Sequence, residues 1–76
     1  MEADNFDRSL RAFVRRRPFE SFVIRFVDGL SITVDHPEAV MTRAGVAIYC
    51  GPDGQPMLFD HRSVSVLTSV NQAASV

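Results

Sequence analysis

The chain has no lysine and only one cysteine, Cys50. A single cysteine excludes an intramolecular disulfide framework and any multi-cysteine zinc site, and it fits a reducing compartment, so the expected location is the cytoplasm. Eight arginines stand against nine acidic residues, for a net charge of -1 and a pI near 6.0. No whole-molecule field therefore draws nucleic acid or an anionic membrane, and any such binding is local. No apolar run approaches the roughly 18 residues a membrane span needs, and the acidic start Met1-Glu2-Ala3-Asp4 lacks the apolar core of a secretory signal. No membrane partner is expected. Solenoid-period repeats and low-complexity tracts are missing too. So are a glycine-rich phosphate loop, a nucleophile elbow and a helical pair of metal ligands. The expectation is a protein that is not an enzyme, with no cofactor, no metal and no evident small-molecule substrate. At 76 residues the chain is one domain without room for a second core.

What is present is an ordinary globular composition, 46% hydrophobic and 22% charged, which argues for a folded chain. Phe6, Leu10, Phe13 and Val14 recur at offsets of four, seven and eight, which predicts one amphipathic helix over Asp4 to Arg17. Asp4 or Asn5 can cap it, Asp7 sits where the helix dipole favours an anion, and Arg15 to Arg17 sit where it favours cations. Pro18 ends it, because the residue before a proline avoids helical geometry.

From Phe19 onward the pattern is short strands. Phe22, Ile24 and Phe26 alternate, and after Asp28-Gly29 so do Leu30, Ile32 and Val34. A two-residue loop would pair Phe26 with Ser31 and mix polar with apolar on one face. A three-residue loop Val27-Asp28-Gly29 with left-handed Gly29 pairs Phe26 with Leu30, Ile24 with Ile32 and Phe22 with Val34, and makes one face wholly apolar. His36-Pro37-Glu38-Ala39 breaks the second strand. Val40 to Arg43 reads as a strand, Ala44-Gly45 as a bend, and Val46 to Cys50 as a strand with Val46, Ile48 and Cys50 on one face and Ala47 and Tyr49 on the other. The residues from Gly51 to Pro56 form a loop, Met57 to Asp60 a strand, and His61-Arg62-Ser63 a tight connector. Val64 to Val70 is a closing strand with Val64 and Val66 inward. The fold expected is mainly β with one N-terminal α-helix, a five-stranded antiparallel SH3-like (Sm-like) barrel over residues 1–70, followed by a flexible tail over 71–76.

The signature Arg17-Pro18-Phe19, Phe22-x-Ile24-x-Phe26, Asp28-Gly29 and His36-Pro37-Glu38 resembles a family of short bacterial proteins without an established function, over most of the chain. That resemblance implies no catalytic or ligand-binding residue. More broadly the chain is similar to Sm-like proteins, a helix before a five-stranded barrel, which implies ring assembly and RNA binding. It lacks their second-strand glycine and their Asp-x-Asx base-reading signature, and Thr42-Arg43-Ala44-Gly45 is no substitute.

Arg8, Arg11, Arg15, Arg16 and Arg17 form a local charge of +5 without an acid between them. The sharper reading is a strip that contacts the phosphates of a nucleic acid, with arginine suited to bidentate geometry. The plainer one is a solvated helix end, and no interleaved aromatics offer bases a stacking platform. Among the ligand-type side chains, His36, Glu38, Asp60 and His61 form no metal-binding motif; Asp60 reads as a cap of the connector after it and His61 as surface or half-buried. Cys50 reads as a small buried hydrophobe rather than a nucleophile. Val23 and Val27, with Ala47 and Tyr49, are the candidate outward apolar residues, covered either by the helix or by a partner. The leading expectation is a small non-enzymatic module binding itself or another protein; the alternative is a nucleic-acid-binding module using the arginines.

Overall fold

The computed structural model describes residues 1–70, and the tail expected over 71–76 lies outside them. A helix α1 (Ala3–Arg15) precedes six strands: β1 (Phe22–Phe26), β2 (Ser31–Val34), β3 (Val40–Arg43), β4 (Val46–Cys50), β5 (Pro56–Asp60) and β6 (Val64–Ser69). Single 3-10 turns, Pro37–Ala39 and His61–Ser63, join β2 to β3 and β5 to β6. The described residues are thus mainly β with one helix. The strands do not form one closed five-stranded barrel. They make two three-stranded antiparallel sheets, ordered β2-β1-β6 and β3-β4-β5. The stretch from His36 to Ala39 separates them: His36 is extended before a proline that has no amide hydrogen to give a ladder.

The helix starts at Ala3 and ends at Arg15, two residues short of Arg17, because Arg16 is already extended. Neither Asp4 nor Asn5 caps it; Glu2 is the N-cap, without a side-chain bond. Phe6 and Leu10 are fully buried, and Phe13 and Val14 pack at the margin of the core. Phe6 meets Phe59 edge-on at 6.3 Å and Phe13 stacks on Phe22 at 4.9 Å, so the helical stripe closes the open side of both sheets.

The β1–β2 hairpin has the register that keeps its apolar residues together, with Phe22 opposite Val34 and Ile24 opposite Ile32. The loop closes through Phe26 N–H to the Leu30 carbonyl at 2.8 Å and Gly29 N–H to the Phe26 carbonyl at 3.0 Å, with Gly29 at φ +94°. Leu30 meets Phe26 as expected but lies just before β2 and is exposed, so it does not join the inward apolar face.

Two face assignments differ from the sequence expectation. On β6, Phe26 lies opposite Val64 but Arg25 opposite Val66, leaving Ser65 as the extra residue of a β-bulge. The bulge resets the alternation, so Val64 and Leu67 face the core and Val66 faces out. On β4, Ala47 is buried and Tyr49 packs against the core, whereas Val46, Ile48 and Cys50 are exposed. All five residues of β4 are apolar or nearly so, and alternation alone cannot orient it; the ladders do. Ala47 lies between Thr42 and Phe59, and Phe59 must point inward to meet Phe6 and Phe26.

A polar knot ties three distant segments. Asp7 accepts from the Gly45 N–H at 3.0 and 3.1 Å and from the Thr42 hydroxyl at 3.0 Å. The Gly45 carbonyl accepts from His61 N–H at 2.8 Å. The Met1 ammonium donates to the carbonyls of His61 and Val64 at 2.9 and 2.8 Å, and Nδ1 of His61 donates to the Met1 carbonyl at 2.7 Å. Because the helix begins at Ala3, its first turn holds Asp4, and Asp7, one turn further on, serves the β3–β4 turn instead of the helix end.

Candidate binding surface

The four residues expected to face outward separate on folding. Val23 is buried on the side of its sheet away from the main cluster, between Thr33 and Thr68 in the ladders, and Ala47 is buried. Tyr49 is half-buried, and its hydroxyl donates to the Thr33 carbonyl at 3.3 Å. Only Val27 is freely exposed. The apolar surface exists, but other residues make it.

One part is a groove of about 710 Å³ between the edge of the first sheet and the edge of the second. Phe26 and Phe59, edge-on to each other at 5.1 Å, are among the residues that line it, with Val27, Leu30 and Ile32 on the hairpin side and Met57 and Leu58 on the β5 side. Both walls are edge strands. Because Leu30 turns its carbonyl toward β1, Ser31 next to it turns its own N–H and C=O to the open edge. The lining carries two carboxylates, Asp28 and Asp60, and no arginine. Each caps its own turn, Asp28 accepting from Leu30 N–H at 3.0 Å and Asp60 from Arg62 N–H at 3.2 Å. Asp60 therefore has the capping role its sequence position suggests.

The other part is the outer face of β3-β4-β5. The ladders set Met41, Ile48 and Leu58 in one row across all three strands. Their exposures are 73%, 41% and 67%, and Val46 in the next row is at 47%. That next row reads Arg43, Val46, Asp60, and at the far end Cys50 lies opposite Pro56. Val46 and Leu58 also line the groove, so the two parts are one surface. The residues missed in the sequence are Met41, Val46, Ile48 and Leu58. Their signal was available: a strand apolar at every position, as β4 is, needs cover on both faces.

The arginines also divide. Arg8, Arg11 and Arg15 lie at helix spacing along a shallow recess of about 450 Å³ and make no hydrogen bond or ion pair among the described residues. Asp4 and Asp7 share that recess, which cuts its net charge to about one. Arg16 and Arg17 are engaged elsewhere. Arg16 pairs with Glu20 at 3.4 Å and lies 5.3 Å from the centre of the Phe13 ring, and Arg17 donates to the Val14 and Arg16 carbonyls.

Among the described residues no three His, Cys, Asp or Glu side chains gather as metal ligands. His36 and Glu38 are exposed at the first 3-10 turn, and His61 belongs to the polar knot. Cys50 is exposed rather than buried. Among the described residues no helix is long and apolar enough to cross a membrane. Comparison with protein-family models, with curated proteins and with solved structures finds no match to this chain.

Proposed function

We propose that this protein acts by binding another protein chain and performs no catalysis of its own. The observation that carries the reading is the solvent-exposed apolar surface running from the groove over the outer face of β4, bounded by two edge strands. A groove between open edges suits an extended segment, which adds backbone hydrogen bonds to an edge such as that of Ser31 and lays alternate side chains on Phe26 and Phe59. The carboxylates of Asp28 and Asp60 favour a segment that carries basic residues beside its apolar ones.

A blocked peptide of alternating valine and lysine is the probe. Titrated into isotope-labelled protein, it is expected to shift the amide signals of Ser31 and Phe59 saturably, and less in the Leu58→Ser variant, which removes apolar contact without adding charge. No saturable change at millimolar peptide, or change confined to the helix, overturns this use of the groove.

The architecture belongs to the same proposal. The order β6-β1-β2, a break, then β3-β4-β5, with a 3-10 turn before the last strand, supports reading the fold as an SH3-like small barrel whose long second strand is split into β2 and β3 and whose sheets stay open along the groove. A second reading, nucleic-acid binding, rests on Arg8, Arg11 and Arg15, the unpaired cations of the helix. A salt-dependent RNA shift that vanishes when these three become glutamine would favour it; the shared carboxylates of the recess weigh against it.

A further inference from the structure

We infer that the outer face of β3-β4-β5 is a two-fold interface on which a second copy of this chain sits, an inference that rests on the protein-binding reading above and names its partner. The row Arg43, Val46, Asp60 carries a cation on one edge strand and an anion on the other. A two-fold axis running along β4 in the plane between two such faces lays β3 of one copy over β5 of the other. Arg43 then faces Asp60 of the second copy and Asp60 faces its Arg43. Along the apolar row Met41 meets Leu58, and Ile48 meets Ile48. An in-plane axis across the strands instead sets each strand over its own copy and leaves both charges unmatched. Isologous contacts require this kind of self-complementarity, and aligned packing of sheet faces is an ordinary way to bury them.

Both charges are available. Arg43 makes no ion pair among the described residues, and Asp60 uses one oxygen, Oδ1, for the Arg62 amide. The groove meets this face only along Val46, Leu58 and Asp60, so its wall of Val27, Leu30 and Ile32 lies outside the contact. The footprint is small: strands of four or five residues at about 3.3 Å rise and three strands about 4.8 Å apart cover roughly 16 by 14 Å at most. That is well below the ~800 Å² a standard interface takes from each partner, so the dimer is weak.

Cys50 reports on it, since an axis along β4 brings Cys50 over Cys50 of the second copy. Sedimentation velocity between about 10 μM and 1 mM, the range that brackets weak association, is expected to show a monomer–dimer equilibrium. A bismaleimide spanning the roughly 10 Å between packed sheets is expected to link the dimer through Cys50. Ile48→Lys and Arg43→Glu are each expected to abolish dimer and cross-link while the circular dichroism spectrum is retained. Mixing the Arg43→Glu chain with an Asp60→Arg chain, each monomeric alone, restores a heterodimer, because both charge pairs are again opposite. Should Asp60→Arg fail to fold for want of its cap, the other two variants decide. A monomer at 1 mM without cross-link overturns the inference, and if the valine–lysine probe still binds, the protein-binding reading survives it. A dimer that Ile48→Lys leaves intact overturns it as well, by placing association elsewhere.

Discussion

Replacing Gly45 with valine is expected to leave the protein largely unfolded at 37 °C. Gly45 sits at φ +82°, where an L-residue pays about 1–2 kcal/mol and a β-branched one more. A Cβ there would also stand 2.9 Å from the His61 ring and 3.3 Å from the Ala3 side chain, and overpacking of that kind costs about 1–3 kcal/mol. The two add to about 3 kcal/mol, against the ~3–5 kcal/mol that a core of this size supplies. Neither neighbour can easily retreat, because His61 is tied to Met1 and Gly45 and α1 is tied to the turn by Asp7. Gly29 provides the contrast. It too is left-handed, at φ +94°, but open space surrounds the missing Cβ, so Gly29→Val is expected to cost only the backbone part. Urea titration followed by circular dichroism reads both, and equal midpoints for the two variants would show that the knot bears no load.

The second large effect is expected at Phe59. It is the side chain shared by all three layers, edge-on to Phe6 of α1 at 6.3 Å and to Phe26 of the first sheet at 5.1 Å. Truncating a buried phenylalanine to alanine costs about 3–5 kcal/mol, and each aromatic pair contributes about 0.5–1.5 kcal/mol beyond area. At about 4–8 °C per kcal/mol for a domain this small, Phe59→Ala should show no cooperative thermal transition above room temperature. Phe59→Leu, which refills most of the volume, should keep one. A Phe59→Ala protein that melts within a few degrees of the parent would mean that the sheets are held together elsewhere.

How far the fold could be read in advance depended on whether the neighbours of a residue were local. The β1–β2 register was legible because one loop length alone keeps Phe22, Ile24 and Phe26 beside Leu30, Ile32 and Val34. The cap at Asp60 was legible for the same reason, its partner Arg62 being two residues away. The orientation of β4 was not, because Val46 to Cys50 offers two apolar faces and only the position of Phe59 chooses between them. Nor was the bulge at Ser65, since Val64 and Val66 imitate an unbroken alternation that the ladder to β1 interrupts. The tie from Asp7 to Gly45 spans 38 residues and leaves no local trace. The candidate site followed suit. An uncovered apolar surface was foreseeable from a surplus of apolar strand residues, but its makers were misassigned along with the faces of β4. The arginine run was plain as charge, while its division into a helical stripe of Arg8, Arg11 and Arg15 and an engaged pair needed the helix end at Arg15.

The outer face of β3-β4-β5, and not the arginine stripe, is the surface on which we propose that this chain meets a second copy. Methyl NMR of the full chain across a concentration series tests it most directly, because each surface carries its own reporters. The methyl signals of Met41, Val46, Ile48 and Leu58 should move together as concentration rises, while those of Ala12, beside the arginines, stay fixed. Methyl signals on the sheet that do not respond to concentration, or movement confined to Ala12, would overturn the dimer.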